Sequence, residues 1–251
     1  MPAYRPAFFS HYIVPDVSRD LKGHAMKNLF SLLPNFPRAV GLGLLSLLSL
    51  VGFVALDSSW AAEEDKERWN KKYETETFLF GRDPIPFLQD QMDLLPKGTA
   101  LDLAMGEGRN GVFLAMNGFQ VTGVDISEAG FKKAQTLASE KGVKLTTVVA
   151  DLEQYTIPPN TFDVIICTYY LQRDLFPQIA AALKPGGMVL IETYTVDHLQ
   201  YRPAFNRAFL LERNELLTML PGLRVLRYQE VDTGNAAFAS LLAQKPTHIT
   251  K

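Results

Sequence analysis

The sequence predicts an α/β domain: a doubly wound, mostly parallel seven-stranded sheet that ends in an antiparallel hairpin and is preceded by a hydrophobic helix. Three observations lead there. From residue 98 onward, short apolar runs alternate with segments of helical spacing, the pattern of parallel strands joined by crossover helices. Near the carboxyl end "LRVLRYQEVDT" and "AAFASLLAQK" are two strand-like runs with too little chain between them for a crossover, so they pair antiparallel. Before the domain, residues 39–56 read "AVGLGLLSLLSLVGFVAL" without a charge.

In chain order, residues 1–38 read as a disordered or basic leader, with scattered prolines and little periodicity. Residues 39–56 are long enough, at about 27 Å as a helix, to cross a bilayer. The same stretch also fits the core of a cleaved signal, with Ser59 and Ala61 before the cleavage point and Met26 as the start of a basic leader. Positive charges do not orient it, since Arg19, Lys22, Lys27 and Arg38 on one side balance Lys66, Arg68, Lys71 and Lys72 on the other. Residues 61–95 read as a helical lid, with Trp69 and Tyr73 on one helical face.

The domain proper is expected over residues 96–247. "TALDLAM" is its first strand, "GRNGVFLAMNG" a helix and "FQVTGVDIS" the second strand, with Asp125 at its carboxyl end. "EAGFKKAQTLASEKG" has helical spacing, "VKLTTVVAD" is β-branched and ends at Asp151, and "TFDVIICTYY" is a buried fourth strand. "LFPQIAAALKPGG" is a helix stopped by Pro185, Gly186 and Gly187, and "MVLIETY" is the fifth strand before the closing hairpin.

At 251 residues and 47% hydrophobic content, the chain suits one large domain with an appendage. A net charge of −2 and a pI near 6.1 supply no basic field for nucleic acid, and none is expected as a partner. The single Cys167 lies in an apolar run and reads as a small core residue. The histidines His11, His24, His198 and His248 are scattered without metal-ligand spacing, so no metal is expected.

The chemistry is concentrated in "LDLAMGEGRNG", residues 101–111, where Gly106, Gly108 and Gly111 form Gly-x-Gly-x-x-Gly and Asp125 follows nineteen positions after the first glycine. By pattern this is a dinucleotide site. The carboxylates argue otherwise. In an open doubly wound sheet the ligand sits at the carboxyl ends of the strands, and Asp102, Asp125 and Asp151 are all brought to that rim, with Glu107 inside the turn. A carboxylate about 4 Å from a pyrophosphate charge costs about 4 kcal/mol at an effective dielectric of 20. S-adenosyl-L-methionine carries an ammonium and a sulfonium and no phosphate, so the same acids favour it. Asp125 then suits the ribose hydroxyls, and Asp151 with the backbone of Leu152 suits the adenine edge. Each acid also has a structural reading: Asp125 with Ser127 as a helix cap, Asp151 as a turn cap, and Glu107 as a solvated loop charge.

The doubly wound sheet closed by a hairpin resembles the class I S-adenosylmethionine-dependent methyltransferase fold. More narrowly, "ALDLAMGEGRNGVFLA" resembles the first motif of the tellurite-resistance-type methyltransferases, with Met105 where those carry cysteine, and "WNKKYETETFLFGRDPIPFL" is similar to their amino-terminal signature. "YLQRDLFPQIAAALKPGGMVLIETY" continues the likeness, which covers residues 65–245. It implies a Rossmann-like domain whose cofactor contacts are Asp102, Gly106, Gly108, Arg109, Asn110, Asp125, Ile126, Asp151 and Leu152.

Methyl transfer from a sulfonium is an in-line displacement in which alignment does much of the work. A hydroxyl acceptor needs a base, whereas a thiolate or oxyanion attacks already deprotonated. Catalytic candidates at the mouth are Arg173, Tyr73 and Tyr169, with Tyr170, Glu192, Tyr194 and Arg82 nearby in the reading. The expected function is methylation of a small-molecule acceptor of thiol, thiopurine or chalcogen oxyanion type. The alternatives are an NAD-dependent oxidoreductase and a non-catalytic, membrane-tethered cofactor-binding protein. Because the cofactor is made inside the cell, the expected location is a membrane anchor through residues 39–56 with the domain facing the cytoplasm; the alternative is export after signal cleavage.

Overall fold

The computed structural model describes residues 62–247. The hydrophobic helix expected over 39–56 and the leader before it lie outside the described residues. Among the described residues no helix is long and apolar enough to cross a membrane.

A helix over residues 62–73 (α1) leads through an irregular stretch to α2 (Pro86–Gln91). The domain then runs β1 (Thr99–Leu103), α3 (Arg109–Met116), β2 (Gln120–Asp125), α4 (Glu128–Glu140), β3 (Thr146–Val149), β4 (Phe162–Thr168), α5 (Phe176–Ala182), β5 (Leu183–Tyr194), β6 (Arg224–Asp232) and β7 (Ala237–Gln244). The sheet order is β3-β2-β1-β4-β5-β7-β6. The first five strands are parallel, and β7 runs antiparallel to both β5 and β6. The seven-stranded, mostly parallel sheet with its antiparallel hairpin is the one expected from the sequence.

Alternation along the central strands builds a core on each face. Leu101, Leu103, Ile165 and Cys167 face α5 and the leucines Leu211, Leu216 and Leu220, whereas Ala100, Val164 and Ile166 face α2 and α3. Both faces are covered, so these strands read as continuous apolar runs. Strand order reverses between β1 and β4, which opens a crevice at their carboxyl ends.

Two details depart from the sequence reading. Helix α5 stops at Ala182, and Pro185, Gly186 and Gly187 lie inside the first part of β5 and do not terminate the helix. The cause is a register irregularity: Phe162 pairs with Leu183, and the ladder resumes only at Val164 with Met188. Gly186 takes φ 81° there. The β5 to β6 connection, residues 195–223, is also structured, as short 3₁₀ turns whose Leu210, Leu211, Leu216 and Leu220 are buried.

Candidate functional site

The turn after β1 must reverse the chain and open α3 within a few residues. Ala104 and Gly106 take φ 54°, and Gly108, at φ 83°, is the residue before α3. A Cβ on Gly106 would lie 2.7 Å from the Tyr73 hydroxyl, and one on Gly108 would lie 2.6 Å from Ala134 Cβ of α4. The glycines therefore serve close packing as much as backbone freedom. Met105 fills the space above Gly123 and Gly111, where a Cβ would meet its sulfur at 2.1 and 3.0 Å.

The acids around this turn have unequal surroundings. Asp102 is 2% exposed; the Gly111 N–H donates to its carboxylate, yet Oδ2 has no hydrogen-bond partner among the described residues. Burial, then the charge of Asp125, pushes its carboxyl well above the ordinary range. Asp125 accepts from Gly106 N–H at 2.7 Å and from Ser127 N–H at 2.9 Å, one on each oxygen. Burial raises its carboxyl against those bonds. The helix cap of α4 is Ser127, whose Oγ accepts from Gly130 N–H.

Glu107 is not the solvated loop charge that the sequence offered as one reading. It is 3% exposed, accepts from Lys133 Nζ at 2.8 Å and takes the Phe80 N–H at 3.2 Å. Asp151 accepts from Glu153 N–H at 2.9 Å and closes a turn at the end of β3, while Leu152 is a core residue and Ile126 is half-buried at the tip of β2.

Helix α1 lies over the turn. Asn70 Oδ1 accepts from Ser127 Oγ and Ala129 N–H at the start of α4, and Lys66 pairs with Glu128 at 3.0 Å. Trp69 and Tyr73 stack at 5.5 Å, and Tyr73 is buried against Gly106. Burial, with Asp125 and Glu107 nearby, raises the Tyr73 phenol, which stays protonated. Tyr73 thus sits on the glycine-turn side of the cleft. Arg82 is engaged with Glu140 of α4.

Tyr73, Phe80, Met105, Gly106, Arg109, Asn110, Thr168 and Tyr169 are among the residues that line a small, open cleft. Arg109 donates to the Phe80 carbonyl at 2.7 Å and lies 5.6 Å from the Tyr169 ring centroid. Asn110 is a strut: its Oδ1 accepts from Ile85 N–H at 3.0 Å and its Nδ2 donates to Thr168 Oγ1 at 2.9 Å.

On the far side Tyr169, at φ 57°, donates its hydroxyl to Glu192 Oε1 at 2.8 Å. Ser240 Oγ of β7 donates to Glu192 Oε2 at 2.8 Å. Tyr194 rests against Tyr169 at 5.0 Å and stacks on His198 at 4.1 Å. Tyr170 turns to the other face of the sheet and donates to Gln172 Oε1.

Arg173 corrects the sequence expectation. Its guanidinium donates to both oxygens of Glu215 at 2.6 and 2.9 Å and to the carbonyls of Ala208 and Leu210 at 3.0 Å. It is not among the residues lining the cleft. A planar, multidentate donor suits tying down the 208–215 segment.

Sequence reasoning overlooked Asn70, Thr168 and Ser240. Ser240 carried a signal, as a polar residue at an inward position of the otherwise apolar "AFASLLAQ". Asn70 and Thr168 carried none, because each acts across more than fifty residues of chain.

Residues 100–187 match a family described as a methyltransferase domain. A ubiquinone biosynthesis O-methyltransferase of Coxiella burnetii is 32% identical over 122 residues, which are 47% of this chain and 52% of that protein. One from Idiomarina loihiensis is 33% identical over 115 residues, 43% of this chain and 47% of its own length. The chain spans about half the length of the curated relatives it matches. Among solved structures, TehB from Haemophilus influenzae aligns over 72% of this chain and 66% of its own, with TM-score 0.55 and 22% identity. A SAM-dependent methyltransferase from Methanosarcina mazei aligns over 66% of this chain and 100% of its own, with TM-score 0.52 and 19% identity.

Proposed function

We infer that this chain, which has the class I S-adenosylmethionine-dependent methyltransferase fold and carries a methyltransferase domain over residues 100–187, methylates a small-molecule acceptor. The observation that carries the reading is the buried, incompletely partnered Asp102 beside the glycine turn. A pyrophosphate there would further oppose ionisation of this carboxyl, whereas a cationic ligand favours it. The donor set fits S-adenosylmethionine, which supplies an electrophilic methyl on a sulfonium. Asp125 would hold the ribose hydroxyls, Asp151 and the Leu152 backbone the adenine edge, and Gly106 and Gly108 the close backbone approach. Ile126, Arg109 and Asn110 would complete the wall. Tyr73, protonated and held over Gly106, orients and shields and does not act as a base.

Acceptor chemistry is the finer part of the proposal. The relatives named as ubiquinone biosynthesis O-methyltransferases support an oxygen acceptor; the likeness to TehB concerns the fold. Calorimetry with S-adenosylhomocysteine against NADH tests the cofactor assignment, and labelled-methyl transfer to catechols, thiols, thiopurines, tellurite and selenite tests turnover. Micromolar binding of NADH with none of S-adenosylhomocysteine overturns the reading. Tight S-adenosylhomocysteine binding without turnover favours the non-catalytic binding protein.

Residues 39–56 are proposed to tether the domain to a membrane, with the domain on the cytoplasmic side. The support is the uncharged run itself and the need for an intracellular cofactor. Fractionation with a reporter fused at Lys251 checks it: a soluble, processed product outside the inner membrane refutes the tether.

A further inference from the structure

We propose that Tyr169 and Glu192 form a proton relay that deprotonates a hydroxyl acceptor, so that this chain acts on protonated oxygen nucleophiles such as phenols. This rests on the methyl-transfer reading and names its acceptor class. Tyr169 lines the cleft. Its backbone is left-handed at φ 57°, a conformation bulky residues rarely adopt, and its N–H is tied to the Glu192 carbonyl at 2.7 Å. That constraint delivers the phenol onto Glu192 Oε1 at 2.8 Å.

Glu192 is 2% exposed, and its hydrogen-bonding neighbours are neutral hydroxyls, Tyr169 immediately after β4 and Ser240 of β7. The charged or titratable groups that face it are Arg109 of α3, beyond the Tyr169 ring, and Tyr194 of its own strand. Burial raises its proton affinity, while the two hydroxyls and Arg109 oppose the rise. A carboxylate in an apolar sheet with hydroxyl partners is an expensive way to fill space and a suitable terminal base. A phenol is only about 0.1% ionised at pH 7, so it needs such a base, whereas a selenol or an oxyanion does not.

The step balances. The acceptor O–H proton passes to the Tyr169 oxygen as the Tyr169 proton passes to Glu192 Oε1. The acceptor oxygen bonds to the methyl carbon as the carbon–sulfur bond breaks, its electron pair leaving on sulfur. Neutral Glu192 then returns the proton through Tyr169 to water.

The test uses 4-nitrocatechol, whose anion absorbs in the visible, titrated into the full chain with S-adenosylhomocysteine present. The wild type is expected to bind the ionised form, lowering the apparent ionisation point of the probe by at least a unit, and Glu192→Gln and Tyr169→Phe are expected to abolish that shift. S-adenosylhomocysteine affinity in both variants should stay within about twofold of wild type. Transfer to a catechol by Glu192→Gln should fall about 100-fold or more at pH 7 and recover as pH rises. Ser240→Ala, a smaller change, removes one donor to the carboxylate and should move the acid limb of the pH profile upward. Neutral or absent binding of the probe to wild type, equal ionisation in Glu192→Gln, or an unmoved limb in Ser240→Ala overturns the relay with S-adenosylhomocysteine binding intact. Failure of the wild type to bind S-adenosylhomocysteine instead overturns the methyl-transfer reading.

Discussion

Replacing Asp102 by Asn is expected to stabilise the ligand-free protein and weaken its hold on cofactor. The carboxyl is fully buried on β1, accepts one backbone N–H from Gly111 and leaves Oδ2 unpaired, with Asp125 near enough to repel it. Its folded proton affinity is raised above the ordinary value of 3.8. The native state therefore binds this proton more tightly than the unfolded state. Its favourable contribution is complete below the ordinary value and is lost as pH rises toward and through the raised folded value, so at neutral pH burying this carboxyl is a penalty. Asparagine keeps the shape and the acceptor for Gly111 while removing the charge. The gain should be about 1–2 kcal/mol at pH 7, or about 2–8 °C in Tm for a domain of this size. It should shrink toward zero as pH falls to the ordinary carboxyl range. Loss of a charge-assisted contact should cost about 1.5–3 kcal/mol of S-adenosylhomocysteine binding. Urea denaturation from pH 4 to 8, with calorimetry at pH 7, measures both arms. A variant less stable than wild type at pH 7, or a difference that does not vary with pH, would mean the carboxylate has a stabilising partner and refute the reasoning.

Two further substitutions separate packing from chemistry. Gly108→Ala combines a left-handed φ of 83° with a Cβ 2.6 Å from Ala134 Cβ, and should cost about 2–4 kcal/mol. Gly142→Ala, at φ 70° with nothing within 4 Å, should cost about 1–2 kcal/mol; equal denaturation midpoints for the two variants would remove the α3 to α4 contact as the cause. Arg173→Ala, at a guanidinium 43% exposed, should lose about 1 kcal/mol of stability and leave S-adenosylhomocysteine affinity and catechol transfer unchanged; a selective loss of transfer would return Arg173 to the acceptor side.

The sheet was legible in the sequence because its information is local. Apolar runs of strand length, helical spacing between them and glycines after β1 each reflect backbone geometry within a few residues. The position of Asp125 at a strand end was equally local, since a parallel sheet brings successive carboxyl ends to one rim. What a carboxylate does on that rim was not local. Glu107 and Asp102 stand five residues apart in sequence, but Lys133 and Phe80 close around one and nothing described here reaches Oδ2 of the other.

The sequence by itself determined the architecture, the glycine turn and the acid-rich rim that disfavours a phosphate ligand, because these follow from periodicity and from residue types at strand ends. Only the tertiary structure decided which polar side chains are spent on the fold and which face the cleft. Arg173 was drawn to Glu215 across 42 residues, and Glu192 was enclosed by Tyr169 and Ser240 from strands on either side of its own. The physical reason is that a buried or half-buried polar group must find partners, and those partners are set by which strands become neighbours, a relation that no short stretch of chain contains.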